Sequence, residues 1–188
     1  MKDVQNHGGD YVQNGYCSEC LSDNLDKTVT NVVKLLLRGK LTVSVAESCT
    51  GGLLSQLITS VPGASEVFEL GICTYSERMK MKFLGVPDDI LSNYGVVSSR
   101  TALAMVQGLK KCSDADICIS VTGIAGPGGG THENPVGSVY IGFDVCGRQF
   151  TEHPPLWELN DKSRDSIRRT AAAFAFGKIE KLLMEAVQ

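Results

Sequence analysis

The apolar residues of this chain recur with two periods, one typical of helices and the other typical of strands. Residues 29–37 carry apolar side chains three and four positions apart, which predicts an amphipathic helix with its C-cap at Gly39. Residues 41–45 alternate apolar and polar side chains and are rich in β-branched residues, which predicts a strand. Helical spacing returns over residues 53–61 and stops at Pro62-Gly63. The chain thus begins as helix, strand and helix.

The same alternation continues to the C-terminus. Strands are predicted near residues 68–74, 117–121, 138–144 and 148–153. Helices are predicted over 76–84, after Pro87, after a Ser98 cap, and from about Ser163 onwards. Interleaved helices and strands predict an α/β fold, a three-layer α/β/α sandwich around a mixed, mostly parallel sheet. Residues 1–22 are polar and without periodicity, so we expect a flexible N-terminal extension before a single domain over 23–188.

Composition narrows the class of protein. The chain has 188 residues, of which 43% are hydrophobic and 21% charged, as expected for one globular domain. A formal net charge of −3 provides no basic footprint for nucleic acid. No apolar run reaches the ~20 residues of a membrane span, and the N-terminus lacks the apolar segment of a secretory signal. We therefore expect a soluble, cytoplasmic protein that binds neither nucleic acid nor membranes.

The cysteines suggest neither a disulfide framework nor a metal centre. Their number, seven, is odd, and several fall in or beside predicted strands, where a free cysteine behaves as a small apolar residue. Cys17 and Cys20 have a spacing seen in zinc sites, but the chain has no second such pair and only three histidines. We expect no metal and no cofactor.

The most informative segment joins the strand at 41–45 to the following helix, and reads Glu47-Ser48-Cys49-Thr50-Gly51-Gly52. The first N–H groups of a helix have no partner within the helix, and the helix dipole favours negative charge there. The junction is therefore suited to a phosphate, or to the oxyanion that forms when a serine attacks a carbonyl. Ser48 is the first candidate nucleophile. The alternative is a simple helix N-cap.

A second glycine-rich segment, residues 122–131, also follows a predicted strand. Glycines cost folding entropy, so a run of them favours a loop that lets backbone approach a ligand closely or that surrounds an anion. The segment leads into another strand, unlike a dinucleotide-binding fingerprint, and the chain has no Gly-Lys-Ser/Thr phosphate loop. Because ligands bind at the carboxyl ends of strands in such sheets, we expect both segments to form one site.

Several side chains are candidate partners of Ser48. His7, His132 and His153 lie in polar or turn segments, with His132 beside the glycine-rich segment. Lys80 would serve as a base if burial lowered its pKa, although a solvated helix face is the simpler interpretation. Cys49 is a rival nucleophile, because thiolates form readily at helix N-termini.

Three charged residues have two interpretations each. Glu47 either contacts the substrate or hydrogen-bonds to the loop backbone. Arg164 and Arg168, one helical turn apart, either clamp a phosphate or form a surface salt-bridge face.

Together these motifs resemble the CinA C-terminal domain family from about Val29 to the C-terminus. Residues 46–52 resemble its AES-x-TGG signature, and Tyr75-Ser76 with Lys80 and Leu84-Gly85-Val86 resembles its Tyr-Ser/Thr-Asn-x-x-Lys…Leu-Gly-Val segment. Residues 122–137 resemble its TGIAGPGGGT…KPVG loop. Glu77, Asn134 and the Lys162-Ser163 pair before Arg164 depart from the usual Asn, Lys and Gly-Asp. The nucleotide-binding N-terminal domain of full-length CinA has no counterpart in these 188 residues.

The resemblance implies a nicotinamide-nucleotide amidase, which converts nicotinamide mononucleotide to nicotinic acid mononucleotide and ammonia. It implies Ser48 as nucleophile, Lys80 as general base, Tyr75 nearby, and a homodimer or larger homo-oligomer. The substrate-binding residues it implies lie in the two glycine-bearing loops and the last helix: Glu47, Thr50, Gly51, Gly52, Thr122, Gly123, Gly126, Gly128, Gly129 and Arg164. A catalytically silent domain that binds a nucleotide or phosphate and acts through a partner is the main alternative. Hydrolysis of an unrelated small amide or ester is another.

Overall fold

The computed structural model describes residues 11–12, 16–17 and 24–186. Near the N-terminus, strands β1 (Tyr11–Val12) and β2 (Tyr16–Cys17) pair antiparallel, in a region where the sequence predicts no element. The rest of the predicted extension lies outside the described residues, as do Cys20 and the side chain of Cys17. The flexibility of that extension, and any role of the two cysteines, remain predictions.

A five-stranded sheet forms the centre of the molecule. Its strands are β3 (Val43–Glu47), β4 (Phe68–Cys73), β5 (Ile117–Gly123), β6 (Val139–Val145) and β7 (Arg148–Glu152), in the order β4-β3-β5-β6-β7. β3 pairs parallel with both β4 and β5, whereas β6 is antiparallel to β5 and β7 is antiparallel to β6. The predicted mixed sheet is confirmed. Because β3, β4 and β5 run the same way, the segments that follow them emerge at one edge.

Helices cover both faces of this sheet, which confirms the predicted three-layer α/β/α fold. They are α1 (Leu25–Gly39), α2 (Leu53–Thr59), α3 (Glu77–Leu84), α4 (Asp88–Tyr94), α5 (Ser99–Ser113) and α6 (Arg164–Ala186). One apolar core lies between the sheet and α1, α2 and α6, and a second lies between the sheet and α3, α4 and α5. Among the helices described, none combines the length and the hydropathy that a membrane span requires.

The sequence predicts a cap residue for two helix ends, and both can be compared with the structure. Ser98 caps α5 as predicted, since its Oγ accepts a hydrogen bond from the Thr101 N–H at 3.2 Å. The predicted C-cap at Gly39 is wrong by one residue. Gly39 is the last helical residue, and Lys40 takes the left-handed conformation with φ 52°. The Leu41 N–H then bonds back to the Leu36 carbonyl at 3.0 Å, which completes a Schellman-type ending.

Two helical glycines give opposite expectations for the same substitution. Alanine is the better helix former by roughly 1 kcal/mol, so both changes would stabilise isolated helices. At Gly108 in α5, however, a Cβ would fall on the backbone carbonyl of Leu84 at the end of α3. At Gly177 in α6, a Cβ would meet nothing within 4 Å.

We therefore expect Gly108→Ala to lower the free energy of unfolding by about 1–3 kcal/mol. Gly177→Ala, the matched control, should raise it by about 0.5–1 kcal/mol. Urea unfolding of both variants measures the difference. A Gly108→Ala protein at least as stable as the wild type would show that α3 and α5 are not packed this closely.

Candidate active site

A cavity of about 590 Å³ lies at the edge of the sheet where β3, β4 and β5 end. The three loops that follow these strands contribute Ser48, Tyr75 and Gly126 to its wall, and α6 contributes Arg164. In α/β sheets this edge is where ligands bind, because the connecting loops diverge there and leave a crevice. The predicted convergence of the two glycine-bearing segments is thus observed.

Inside the cavity, a lysine contacts the candidate serine. The Lys80 Nζ lies 2.9 Å from the Ser48 Oγ, and it also donates to the backbone carbonyls of Thr74 at 2.7 Å and Tyr75 at 3.3 Å. The residue is only 1% exposed, so the interpretation of Lys80 as part of a solvated helix face is wrong. Carbonyls can only accept hydrogen bonds. A neutral amine would therefore give its two N–H groups to them and accept the Ser48 hydroxyl proton with its lone pair.

Burial also shifts the proton equilibrium of this lysine. It lowers the pKa of Lys80 from 10.5 to about 8, because a charged amine loses hydration in the cavity wall, while the nearby Glu77 carboxylate opposes part of that shift. With this pKa, roughly a tenth of the Lys80 side chains are neutral at pH 7, far more than for an ordinary lysine. An amine in this state, within hydrogen-bond reach of a hydroxyl, is suited to remove its proton.

Ser48 itself is not a helix cap, which excludes the simpler interpretation of its position. Gly52 precedes α2 in the N-cap position, with φ 92°. Cys49, the rival nucleophile, is 5% exposed, and burial raises the pKa of its thiol to about 12. A thiol with that pKa remains protonated at neutral pH, so the geometry favours the serine.

A buried carboxylate occupies the helix N-terminus where a phosphate or oxyanion was expected. Glu47 is fully buried and accepts four hydrogen bonds, from the N–H groups of Gly52 at 3.0 Å, Leu54 at 3.1 Å and Ser55 at 3.0 Å, and from the Ser55 hydroxyl at 2.8 Å. The Gly51 N–H bonds to the Ser48 carbonyl at 3.1 Å. These donors are therefore engaged within the protein.

This arrangement corrects part of the predicted binding site. Glu47, Thr50, Gly51 and Gly52 are absent from the cavity wall, and they shape the loop that carries Ser48. Of the two interpretations of Glu47, the structure favours hydrogen bonding to the loop backbone.

The glycine-rich segment also lines the cavity, as predicted. Its wall-lining residues include Thr122, Gly123, Gly126, Gly128 and Gly129. At Gly126, φ is 77° and an added Cβ would lie 2.6 Å from the Val136 side chain, so this position requires glycine.

Arg164 connects the glycine-rich segment to the loop after β4. Its Nη1 donates to the Gly126 carbonyl at 2.8 Å, and its Nη2 donates to the Tyr75 hydroxyl at 2.9 Å. Tyr75 is 63% exposed and stands at the rim of the cavity. Its carbonyl contacts Lys80, whereas its hydroxyl contacts Arg164, so the side chain and the backbone of Tyr75 serve different partners.

Arg168 does not join Arg164 in a phosphate clamp. Its Nε and Nη2 both donate to the Thr50 carbonyl, at 3.0 and 2.7 Å, and it is absent from the cavity wall. The predicted pair is therefore divided between two tasks: Arg164 faces the cavity and Arg168 holds the serine loop.

The two histidines among the described residues are absent from the cavity wall, and His7 lies outside the described residues. His153 stacks on Tyr140, with ring centroids 3.8 Å apart, and His132 is exposed beyond the glycine-rich segment. Within the described residues, no group of three or more histidine, cysteine or acidic side chains is placed to hold a metal ion.

The wall also contains residues that sequence reasoning missed. They are Ser76, Glu77 and Arg78 at the start of α3, and Val96 and Val97 between α4 and α5. The Thr74 carbonyl was missed as well, because a backbone acceptor leaves no mark in the sequence. The Ser76–Arg78 run follows Tyr75 directly, so its position beside a candidate site residue was the available signal.

Two departures from the family pattern keep a local structural role. Ser163, where Asp is usual, accepts a hydrogen bond from the Ser166 N–H at 3.3 Å, and both residue types are good helix N-caps. Asn134, where Lys is usual, closes a turn with Thr131 through bonds of 2.8 and 3.0 Å. The positive charge that lysine would supply is absent from that turn.

Comparison with known proteins shows the family to which the chain belongs. Residues 25–183 match the family described as the CinA C-terminal domain. The CinA-like protein of Thermotoga neapolitana is 44% identical over 163 residues, which are 86% of this chain and 38% of that protein. The CinA-like protein of Kosmotoga olearia is 46% identical over 156 residues, which are 83% of this chain and 37% of that protein. The chain thus spans a little over a third of the length of these relatives.

Solved structures share the fold over nearly their whole length. The competence/damage inducible protein CihA of Agrobacterium tumefaciens superposes with a TM-score of 0.79 at 33% identity, covering 88% of this chain and 96% of that one. A CinA superfamily protein of Klebsiella pneumoniae gives a TM-score of 0.80 at 26% identity, covering 86% and 99%. By its sequence and its fold, the chain belongs to the CinA C-terminal domain family.

Proposed function

We propose that this protein is an amidohydrolase that cleaves the carboxamide of nicotinamide mononucleotide to give nicotinic acid mononucleotide and ammonia. The observation that carries the proposal is the 2.9 Å contact between the Lys80 Nζ and the Ser48 Oγ inside the cavity. A serine hydroxyl is a weak nucleophile unless a base removes its proton, and a buried lysine with a lowered pKa is such a base. A domain that only bound its ligand would not need this pair.

The first half of the reaction forms an acyl-enzyme. Neutral Lys80 accepts the Ser48 hydroxyl proton as the Oγ attacks the carboxamide carbon, and a tetrahedral intermediate forms. The resulting Lys80 ammonium then returns the proton to the amide nitrogen, so that the C–N bond breaks and ammonia leaves. The carbonyls of Thr74 and Tyr75 stabilise the ammonium between these two steps.

The second half releases the acid. Lys80, again neutral, takes a proton from a water molecule that attacks the ester carbon. It then gives that proton to the Ser48 Oγ as the second tetrahedral intermediate collapses. The products are the carboxylic acid and free Ser48, and Lys80 returns to its starting state.

The oxyanion of the tetrahedral intermediate needs hydrogen-bond donors, and most N–H groups of the loop after Ser48 are already engaged. The N–H groups of Gly51 and Gly52 are engaged by the Ser48 carbonyl and the Glu47 carboxylate. The Cys49 N–H takes part in neither contact and belongs to a residue that lines the cavity, so we assign the oxyanion to it because it directly follows the nucleophile.

The part of the cavity lined by the glycine-rich segment and Arg164 is suited to the rest of a mononucleotide. Arg164 and the bare backbone of Gly126, Gly128 and Gly129 would hold a phosphate, since a guanidinium and closely approached N–H groups both favour phosphate oxygens. Val96 and Val97 offer apolar surface to an aromatic ring. A role in cytoplasmic pyridine nucleotide recycling, and a homodimeric or larger assembly, belong to the same proposal.

Ammonia release from nicotinamide mononucleotide tests the nucleophile. We expect activity in the wild type and loss of at least about 10³-fold in Ser48→Ala, because no other group replaces the attacking oxygen. Cys49→Ala is the matched variant and should retain most of the activity. Loss in Cys49→Ala with retention in Ser48→Ala would make the thiol the nucleophile. A folded wild type that binds the mononucleotide without releasing ammonia would favour the silent binding domain.

The pH dependence of kcat/KM tests the base, because it reports the pKa of the free enzyme. Lys80 acts only when neutral, and its pKa lies at about 8, so kcat/KM should rise about tenfold per pH unit below that value and level off above it. Lys80→Met should abolish activity at every pH. Lys82, on the same helix and away from the cavity wall, is the control, and Lys82→Met should keep the wild-type profile. A flat profile between pH 6 and pH 9 would exclude Lys80 as the base.

A further inference from the structure

We propose that Arg168 is a positioning residue for the Ser48 nucleophile, acting through the backbone of the serine loop and not through the substrate. The inference rests on the proposed function, because it concerns the rate at which Ser48 reacts. It follows from the contact between α6 and Thr50, which lie 118 residues apart in the chain.

The contact between Arg168 and the Thr50 carbonyl consists of two charge-assisted hydrogen bonds. Two N–H groups of one guanidinium meet a single carbonyl oxygen, at 3.0 and 2.7 Å, and bonds from a charged donor are about twice as strong as neutral ones. Among the described residues, the ion pairs join Lys110 to Asp114 and Lys178 to Glu152, so no carboxylate competes with Thr50 for this arginine. An added Cβ at Gly51 would lie 3.7 Å from the Arg168 Nη2, so the guanidinium also packs against the loop.

The other end of the loop is held by Glu47. Its carboxylate takes the Gly52 N–H, while Arg168 takes the Thr50 carbonyl two residues earlier. The Arg168 guanidinium therefore holds the Thr50 carbonyl, and the Glu47 carboxylate holds the Gly52 N–H, within the same three-residue segment. Between this pair of contacts and the end of β3 lies Ser48, whose Oγ must stay 2.9 Å from the Lys80 Nζ. A displacement of about 1 Å at a reacting group can cost 10²-fold in rate.

Arg164 and Arg168 differ in whether they line the cavity. It lies one helical turn earlier on α6, lines the cavity, and would meet the ligand. Arg168 stands behind the serine loop, outside the cavity wall. A phosphate clamp would affect substrate binding, and hence KM, whereas a loop anchor affects the geometry of attack, and hence kcat. The two roles are therefore separable by steady-state kinetics.

The experiment compares Arg168→Met, Arg168→Lys and Arg169→Met. In Arg168→Met, kcat for ammonia release should fall by about 10- to 100-fold, with KM unchanged and the pH midpoint still near that of the wild type. Arg168→Lys, which keeps the charge and one donor at a time, should be intermediate. Arg169 is the matched control, because in the described part of the chain no hydrogen bond or ion pair joins it to the serine loop. Arg169→Met should behave like the wild type.

Two further measurements separate this inference from the choice of substrate. The rate at which a fluorophosphonate modifies Ser48 requires an activated serine but no nucleotide, and should fall in Arg168→Met. Amide hydrogen exchange of residues 48–55 should rise in the same variant while exchange in β5 stays unchanged. A wild type that reacts with the probe but not with the mononucleotide would overturn the proposed substrate alone, and the probe would still report on Arg168.

Four results would overturn the role of Arg168, the last of them together with the proposed function. A raised KM with unchanged kcat in Arg168→Met would make it a ligand clamp. Unchanged kcat, probe reactivity and exchange would make it a bystander. A loss of activity that follows thermal destabilisation equally in Arg168→Met and Arg168→Lys would make it a packing residue. A wild type inert towards both the probe and the mononucleotide would overturn the proposed function and this inference together.

Discussion

The burial of one amine is the constraint on which this site depends. Lys80 cannot lose its hydration without acceptors, and the acceptors it has are two carbonyls at the end of β4 and a hydroxyl at the end of β3. These groups meet because β3 and β4 are adjacent and parallel, with Glu47 in register with Cys73. A change in that register would separate the serine from its base. The register of β3 and β4 therefore sets the surroundings of the Lys80 amine, and burial in those surroundings lowers its pKa.

Two charged residues near the site bind the backbone of the protein itself and do not line the cavity. Glu47 and Arg168 are the residue types that usually indicate ligand contacts, yet both bind the backbone of the serine loop. The helix dipole of α2 is already satisfied by a carboxylate from its own chain, so that helix start has little left to offer a phosphate. Two arginines line the cavity instead, Arg164 from α6 and Arg78 from the start of α3. Under the proposed function, these guanidinium groups are the cations available to an anionic group of the ligand.

Membership of the CinA C-terminal domain family is compatible with local substitution at several points. Ser163 replaces an aspartate but still caps α6, which keeps Arg164 at the helix start. Asn134 replaces a lysine but still closes the turn after the glycines. Glu77 is different, because it adds a negative charge to the cavity wall where the family usually has a neutral amide. That charge lies near Lys80 and favours its protonated form.

The sequence by itself determined the strands of the central sheet and the helices that cover it, the α/β class, and the two glycine-bearing loops that follow strands, because periodicity and capping are properties of neighbouring residues. The sites were less predictable from the residues alone. Lys80 was one lysine among many until the fold buried it, and Gly51 and Gly52 resembled ligand contacts until Glu47 was seen to bind that turn. The tertiary structure alone decided these assignments. Hydrogen bonds between residues 32 and 118 positions apart depend on which strands are neighbours, and no local pattern contains that information.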